Sequence, residues 1–328
     1  MPRIAENPRG ADLSRWNVEV DKGEQVDWDD YKQYYSFVLI KATESQTYVD
    51  PLFHTLNDGA AEAGVPRGLY HFYRFRSSAS SRTQAHHFWD TIQYNPGEIT
   101  PWGDFEAPTG SLKISTRRTW TEQFITSFQN ASGRLAGLYT SPGWWNTNIA
   151  NPIVGSSDIP DVAGSPRPLW VAHWFADQPG IPYDWRARFG SSAWKFWQDT
   201  NKGDGTPAGV PDSTIDLDWY NGSYQDFNDE YGTSIKPPPQ EPIVEPPPDQ
   251  AARVIEIAYL KGGAQLNIRQ RPWGHIKGKT WNGERWPVVG VVGYNLNQEK
   301  FWYKIAGNPD EESQADALVA SWYTKKIS

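Results

Sequence analysis

Gly103-Asp104-Phe105-Glu106-Ala107-Pro108 sets two carboxyl groups two residues apart in a stretch that is otherwise small or apolar. Hydrolysis of a glycosidic bond needs one carboxyl group to protonate the leaving oxygen and a second group to stabilise or trap the oxocarbenium-like sugar. On a strand, positions i and i+2 share a face about 6.5 Å apart, so Asp104 and Glu106 point into one cleft and Phe105 points away from it. Two like charges that close do not both ionise cheaply; one pKa rises and leaves that group as the acid, and Glu106 has the longer reach. An isolated Asp-x-Glu pair is more often a solvated turn, so the reading depends on company. Asp12 ends a first apolar run, Glu44 follows Lys41-Ala42-Thr43 at a second, and Asp216 opens Ile215-Asp216-Leu217-Asp218-Trp219-Tyr220.

The elements that must bring these acids together are legible as short apolar runs: Ala11 to Leu13, Phe37 to Ala42, Gly68 to Tyr73, a stretch ending Gly103 to Glu106, Leu135 to Thr140, Leu169 to Trp174, Trp194 to Gln198 and Ile215 to Tyr220. They alternate with helical patterns over Glu24 to Tyr35, Pro51 to Ala63, Ser80 to Gln93 and Ser115 to Ser132, two of them closed by Gly64 and Gly133. That alternation predicts a parallel sheet wrapped by helices, and eight strands predict an irregular TIM-like (β/α) barrel in the α/β class. Catalytic groups belong at the carboxyl ends of such strands. Prolines 152, 160, 166, 179 and 182 break the helical pattern in the second half, where irregular loops are expected.

The proline-rich stretch 236–250 reads as a semi-rigid linker between a catalytic domain at 1–235 and a small all-β domain at 251–328. Downstream, Val254 to Tyr259, Gln265 to Ile268, Pro287 to Tyr294, Phe301 to Ile305 and Ser321 to Thr324 read as the strands of a small barrel.

In order along residues 10 to 222, the segments Gly10-Ala11-Asp12-Leu13-Ser14, Ile40-Lys41-Ala42-Thr43-Glu44, Gly68-Leu69-Tyr70-His71-Phe72, Asp104-Phe105-Glu106, Gly137-Leu138-Tyr139-Thr140, Leu169-Trp170-Val171-Ala172, Trp197-Gln198 and Asp216-Leu217-Asp218 resemble glycoside hydrolase family 25, the Chalaropsis-type muramidases. Each segment is weak alone and the set is specific. The resemblance implies cleavage of the β-1,4 bond between N-acetylmuramic acid and N-acetylglucosamine with no metal or other cofactor. Glu106 would be the general acid/base, Asp104 its charged neighbour, and Asp12 and Asp216 further catalytic carboxylates. Candidate substrate contacts are Glu44, Tyr70, His71, Tyr139, Trp170, Trp174, Trp197, Gln198 and Asp218, with Trp144 and Trp145 as a possible cleft wall. A His beside a Tyr on a strand is more commonly a hydrogen-bonded structural residue than a catalyst. Two departures stand out: Ser45 where the family often has Gly, and Asp218 where Asn is common.

The tail resembles bacterial SH3-like wall-binding domains through Leu266-Asn267-Ile268-Arg269, Pro272, Gly290-Val291-Val292 and Phe301-Trp302-Tyr303-Lys304-Ile305, with Arg269, Trp273 and Trp302 as candidate ligand contacts. The expected partner is bacterial peptidoglycan, its glycan strand at the barrel mouth and a peptide stem or glycan at the tail, with neither nucleic acid nor membrane insertion.

Composition agrees with a glycan reader. Eighteen Trp in 328 residues exceed what a core requires, and aromatic planes stack on the flat faces of sugar rings. The net charge of −8 divides into −11 for residues 1–248 and +3 for 249–328, so an anionic wall suits the tail better than the barrel. The absence of Cys excludes disulfides, thiolate zinc sites and a Cys nucleophile, and adjacent His86 and His87 make a poor metal pair, which disfavours an amidase or endopeptidase. Met1 to Pro8 carries no apolar signal region, and no run is long enough to span a bilayer. The expectation is a phage-encoded endolysin made in the host cytoplasm, or a secreted bacterial enzyme without its signal. A carbohydrate-binding protein that cuts nothing and a chitinase-like glycosidase remain alternatives; in the latter, Trp102 stands where substrate-assisted chitinases have their first Asp.

Overall fold

Apolar side chains on both faces of short strands demand cover on both sides, and the chain supplies it by closing the strands on themselves. The computed structural model describes residues 7–18, 25–151 and 155–237, and beyond them the backbone of the strands named below. Eight strands form the barrel: β1 (Arg9–Leu13), β2 (Phe37–Glu44), β3 (Arg67–Phe72), β4 (Trp102–Asp104), β5 (Gly137–Thr140), β6 (Leu169–Ala172), β7 (Phe196–Gly203) and β8 (Ile215–Tyr220). They pair in the order β1-β8-β7-β6-β5-β4-β3-β2, and β1 pairs with β2 to close the ring.

The closure corrects the expectation of an all-parallel sheet. β8 runs antiparallel to both β7 and β1, while every other barrel pairing is parallel. The cause lies in the connection: residues 204–214 hold only a 3₁₀ turn at Thr206–Ala208 and are punctuated by Pro207, Gly209 and Pro211. A parallel return needs a crossover of a dozen or more residues, usually a helix; a shorter link returns as a hairpin. The reversal has a chemical consequence. It puts the beginning of β8, hence Asp216, at the end of the barrel where β1 to β7 terminate, in register opposite Asp12.

Helices α1 (Trp28–Tyr34), α2 (Phe53–Glu62), α3 (Ser78–Ile92) and α4 (Ile114–Ser132) cover the first half. Asp27 caps α1 by accepting from the backbone of Asp29 and Asp30, Ser77 caps α3, and Gly133 closes α4 at φ 66°. The second half is less irregular than its prolines suggested, since it contains α5 (Pro142–Asn148), α6 (Tyr183–Phe189) and α7 (Tyr224–Tyr231). Pro142 sits in the first turn of α5 and Pro182 at the N-cap of α6, positions that need no proline N–H.

Strand alternation sorts the core into two layers. Ala11, Val38, Ile40, Leu69, Leu138, Val171, Trp197 and Leu217 face outward beneath the helices. Phe37, Leu39, Tyr70, Trp102, Tyr139, Trp170, Phe196 and Tyr220 face inward and fill the barrel. The inner rings meet edge to face, with Trp102 and Phe37 each centred on Phe196 at 5.6 and 5.0 Å. Glycines make room for them: a Cβ at Gly137 would lie 2.3 Å from Trp102. Each such buried ring contributes about 2–3 kcal/mol, and together they form a buried aromatic floor under the acids.

The chain divides into two units, Met1–Pro238 and Pro239–Ser328. In the second, seven described strands pair antiparallel throughout, in the order Ile276–Thr280, Leu266–Arg269, Ala317–Ala320, Lys300–Ile305, Arg285–Asn295, Val254–Ile257, Thr324–Lys326. The strands at Ile276–Thr280 and Ala317–Ala320 had no counterpart among the strands expected from sequence. Of the expected closing strand, Ser321 to Tyr323 lie outside the described residues, as do Trp273 and most of the proline-rich stretch. Arg269 and Trp302 are placed as strand backbone positions.

Candidate active site

A cavity of about 350 Å³ opens at the mouth of the barrel, over the aromatic floor. Five carboxylic residues line it: Asp212 from the loop before β8, and four that strand ends bring together across two hundred positions, Asp12 from the end of β1, Asp104 from the end of β4, Glu106 two residues further, and Asp216 from the start of β8. Phe105 turns into the hydrophobic layer under the helices, so Asp104 and Glu106 share the inward side. In the eight-strand ring β4 and β8 are diametrically opposed. Glu106 and Asp216 therefore face the cavity from opposite walls.

Gln198 on β7 ties one wall together. Its side-chain amide donates to Asp12 Oδ2 at 2.7 Å and to Asp216 Oδ2 at 3.1 Å, while its Oε1 accepts from Tyr139 Oη at 3.0 Å and Trp174 Nε1 at 2.7 Å. Every hydrogen-bonding position of that amide is used, which fixes both carboxylates and two aromatic side chains about one group. Beneath them Asp218 is fully buried and accepts from Trp170 Nε1 at 2.7 Å.

The electrostatics follow from acids crowded above an apolar floor. Burial, then the charges of Asp216 and Asp218, push the Asp12 carboxyl well above the ordinary range, with the Gln198 hydrogen bond pulling back. Burial and the neighbouring Glu106 charge do the same to Asp104, which is 4% exposed and whose Oδ1 is buried without a protein donor. Glu106 stands at the rim. The walls around it raise its carboxyl too, but Lys41 and Arg74 oppose the rise. Asp216 is pushed up to about 6, first by burial and then by Glu106 and Asp212. Glu106 was expected to be the raised member of its pair; both members rise, and the deeper Asp104 rises further.

Glu44 does not line the cavity. It accepts from Lys41 Nζ at 2.7 Å and from Arg74 Nε at 2.9 Å, and although burial works against it, these contacts hold its carboxyl below the ordinary range. It is an anchor that keeps two cations beside the acids.

Tyr70, Tyr139, Trp170 and Gln198 line the cavity as anticipated, and Trp174 borders it through Gln198. Four other expectations need correction. His71 is fully buried on the outer side of β3, bonded to Thr43 Oγ1 and Gln84 Oε1 and stacked on Phe124; burial lowers its pKa to about 3, so it is a neutral structural residue. Trp197 likewise faces the helices, its Nε1 donating to the His173 carbonyl. Asp218 lies under the cavity rather than in its lining. Trp145 is buried against Trp185 and bonds Asp184, so it forms no cleft wall. Parity explains the first two: neighbours of the inward-facing Tyr70 and Gln198 must face out. Lys41, Trp16 and Asp212 line the cavity and were missed. Lys41 had a signal, as a lone cation in phase with Phe37 and Leu39 on β2; Trp16 and Asp212 sit in loops, where no periodicity exists.

An acid ring at the mouth of a closed α/β barrel, with paired carboxyl groups on one strand end and another opposite, is the arrangement of a glycoside hydrolase. The profile described as Glycosyl hydrolases family 25 matches residues 11–206, and the chain belongs to that family of lysozymes and muramidases. Lysozyme M1 of Streptomyces globisporus is 29% identical over 239 residues, covering 68% of this chain and 70% of that protein. The N,O-diacetylmuramidase of a Chalaropsis species is 30% identical over 164 residues, covering 45% of this chain and 72% of its own. Among solved structures, the bacterial lysozyme from Streptomyces coelicolor superposes with a TM-score of 0.52 at 28% identity, over 70% of this chain and 99% of that one.

Proposed function

We propose that the barrel hydrolyses the β-1,4 bond between N-acetylmuramic acid and N-acetylglucosamine in bacterial peptidoglycan, with Glu106 as general acid and then general base. The observation that carries this reading is the placement of Glu106 and Asp216 on opposing walls of one cavity, with Asp104 and Asp12 beside them. Glu106, exposed at the rim, gives its proton to the glycosidic oxygen as the C1–O bond breaks. The carbonyl oxygen of the substrate's 2-acetamido group closes on C1, and the positive charge that develops is stabilised by ionised Asp216. Water then adds at C1 as the bond from C1 to the acetamido oxygen breaks and the 2-acetamido group is regenerated; the water delivers its proton to Glu106, so the acid is restored and one water is consumed per bond. Burial and the Glu106 charge favour the protonated form of Asp104, which lessens the negative charge beside Glu106.

The aromatic floor argues against a chitinase-like site, since Trp102, where such enzymes carry an acid, is wholly buried within it. For the second unit, the antiparallel strands and the excess positive charge of the tail support an SH3-like wall-binding module that holds the barrel on its polymeric substrate. Glu106→Gln in the full chain tests the assignment. Clearing of a suspension of purified walls should fall by about 10²–10⁴-fold, as expected for loss of a general acid, while sedimentation with the walls is retained. Clearing at the wild-type rate would refute it.

A further inference from the structure

Large hydrophobic side chains left in water need a reason, and their distribution here is uneven. Among the described residues six large hydrophobic side chains are exposed, and three of these, Trp16, Trp174 and Phe175, belong to the loops that follow β1 and β6 at the mouth, with a fourth, Tyr183, opening α6 just beyond. Trp16 borders the cavity and is 72% exposed. It is held there by a tight turn in which the Ser14 N–H donates to Asn17 Oδ1 at 2.9 Å and the Asn17 N–H to the Ser14 carbonyl at 3.0 Å. The Arg15 guanidinium lies 4.2 Å from its ring centroid and braces one face.

On the other side, Trp174 is 43% exposed and its indole N–H is pinned to Gln198, the residue that also clamps Asp12 and Asp216. Phe175 is 65% exposed and adopts φ 58°, with its N–H donating to the Asp199 carbonyl at 2.8 Å. A left-handed backbone disfavours any residue with a Cβ, and a ring 65% exposed, with the Lys202 ammonium 5.8 Å from its centroid, gains little from burial, so the fold alone gives weak reason for a Phe at position 175. Between these two loops in the ring stand β8 and β7, which carry Asp216 and Gln198.

We propose that Trp16 and the Trp174–Phe175 pair are two sugar-stacking platforms that bracket the carboxylates, holding saccharide units beyond the two joined by the scissile bond. The inference rests on the muramidase reading and deepens it by naming the side chains that hold the strand away from the scissile bond. Fixed aromatic planes suit flat sugar faces, and their continuity with the cavity through Gln198 and the β1 loop names the glycan as occupant. A peptide stem is the competing ligand.

The test uses the full chain carrying Glu106→Gln and soluble peptidoglycan fragments of one to four disaccharide units, with and without stems, titrated by calorimetry. Affinity should rise with glycan length whether or not stems are present. Adding Phe175→Gly or Trp16→Ala should weaken binding of the longest fragment by about tenfold and leave the shortest unchanged. Phe175→Gly should leave the melting temperature unchanged or higher, because glycine is at ease at that φ; a merely structural role would lower it and spare binding. The same length dependence in the variants as in the parent would overturn the inference, and so would affinity that follows the stems. Cleavage of the fragments by the Glu106→Gln chain would instead refute the proposed function and is seen separately, as new products.

Discussion

At the scale of single residues the site is a store of unfavourable charge. Asp216 has a folded pKa of about 6 against an ordinary value of 3.8, so folding raises its proton affinity. The stability this confers is complete below about pH 4 and is lost as pH rises through about 6. Asp216→Asn keeps the shape and the Gln198 contact while removing the charge. It should therefore raise stability near pH 7 by about 1–3 kcal/mol, with the gain vanishing near pH 4 in thermal melts followed across pH; a constant gain at all pH values would contradict the account. Its activity should fall, and the acid limb of kcat/KM near pH 6 should disappear with it, since ionised Asp216 is the group that opposes the developing positive charge. The Asp104–Glu106 pair was visible in the sequence because carboxyl groups at i and i+2 stand out on any strand. The ranking of their pKa values was not, because it depends on depth and on Lys41 and Arg74, which Glu44 brings from two other segments.

Elements decide which residues can reach the cavity at all. Period-two alternation on β3, β5, β6 and β7 puts Tyr70, Tyr139, Trp170 and Gln198 inside and His71 and Trp197 outside, and applying that parity strictly would have excluded the last two from sequence alone. The reversal of β8 was harder to read. It follows from a link broken by Pro207, Gly209 and Pro211, and the position of Asp216 depends on it. Two substitutions probe the elements directly. Gly137→Ala on β5 would drive a methyl group into Trp102, 2.3 Å away, and should destabilise by about 1–3 kcal/mol in chemical unfolding; a neutral result would mean that the aromatic floor is looser than described. Ser45, the residue that replaces a common glycine, sits at φ 55° immediately after β2. Ser45→Gly should stabilise by about 0.5–1 kcal/mol, measured by the same unfolding curves, and a destabilised variant would contradict the strain read at this position.

For the whole molecule the proposed division of labour, cutting by the first unit and holding by the second, is tested by separating them. The solved chain of the Streptomyces coelicolor lysozyme is matched over 99% of its length by 70% of this chain. Residues 1–237 alone should cleave soluble glycan fragments at rates within about threefold of the full chain, and should lose most retention on intact walls in a sedimentation assay. Equal retention would remove the proposed role of the tail. What defines a muramidase is the bond it cuts. Mass spectrometry of peptidoglycan digested by the full chain and then reduced with borohydride reads it directly, since the reduced sugar marks each new end. Reduced muramic acid at the new ends, absent after digestion with Glu106→Gln, is the predicted result; reduced glucosamine at those ends would contradict it.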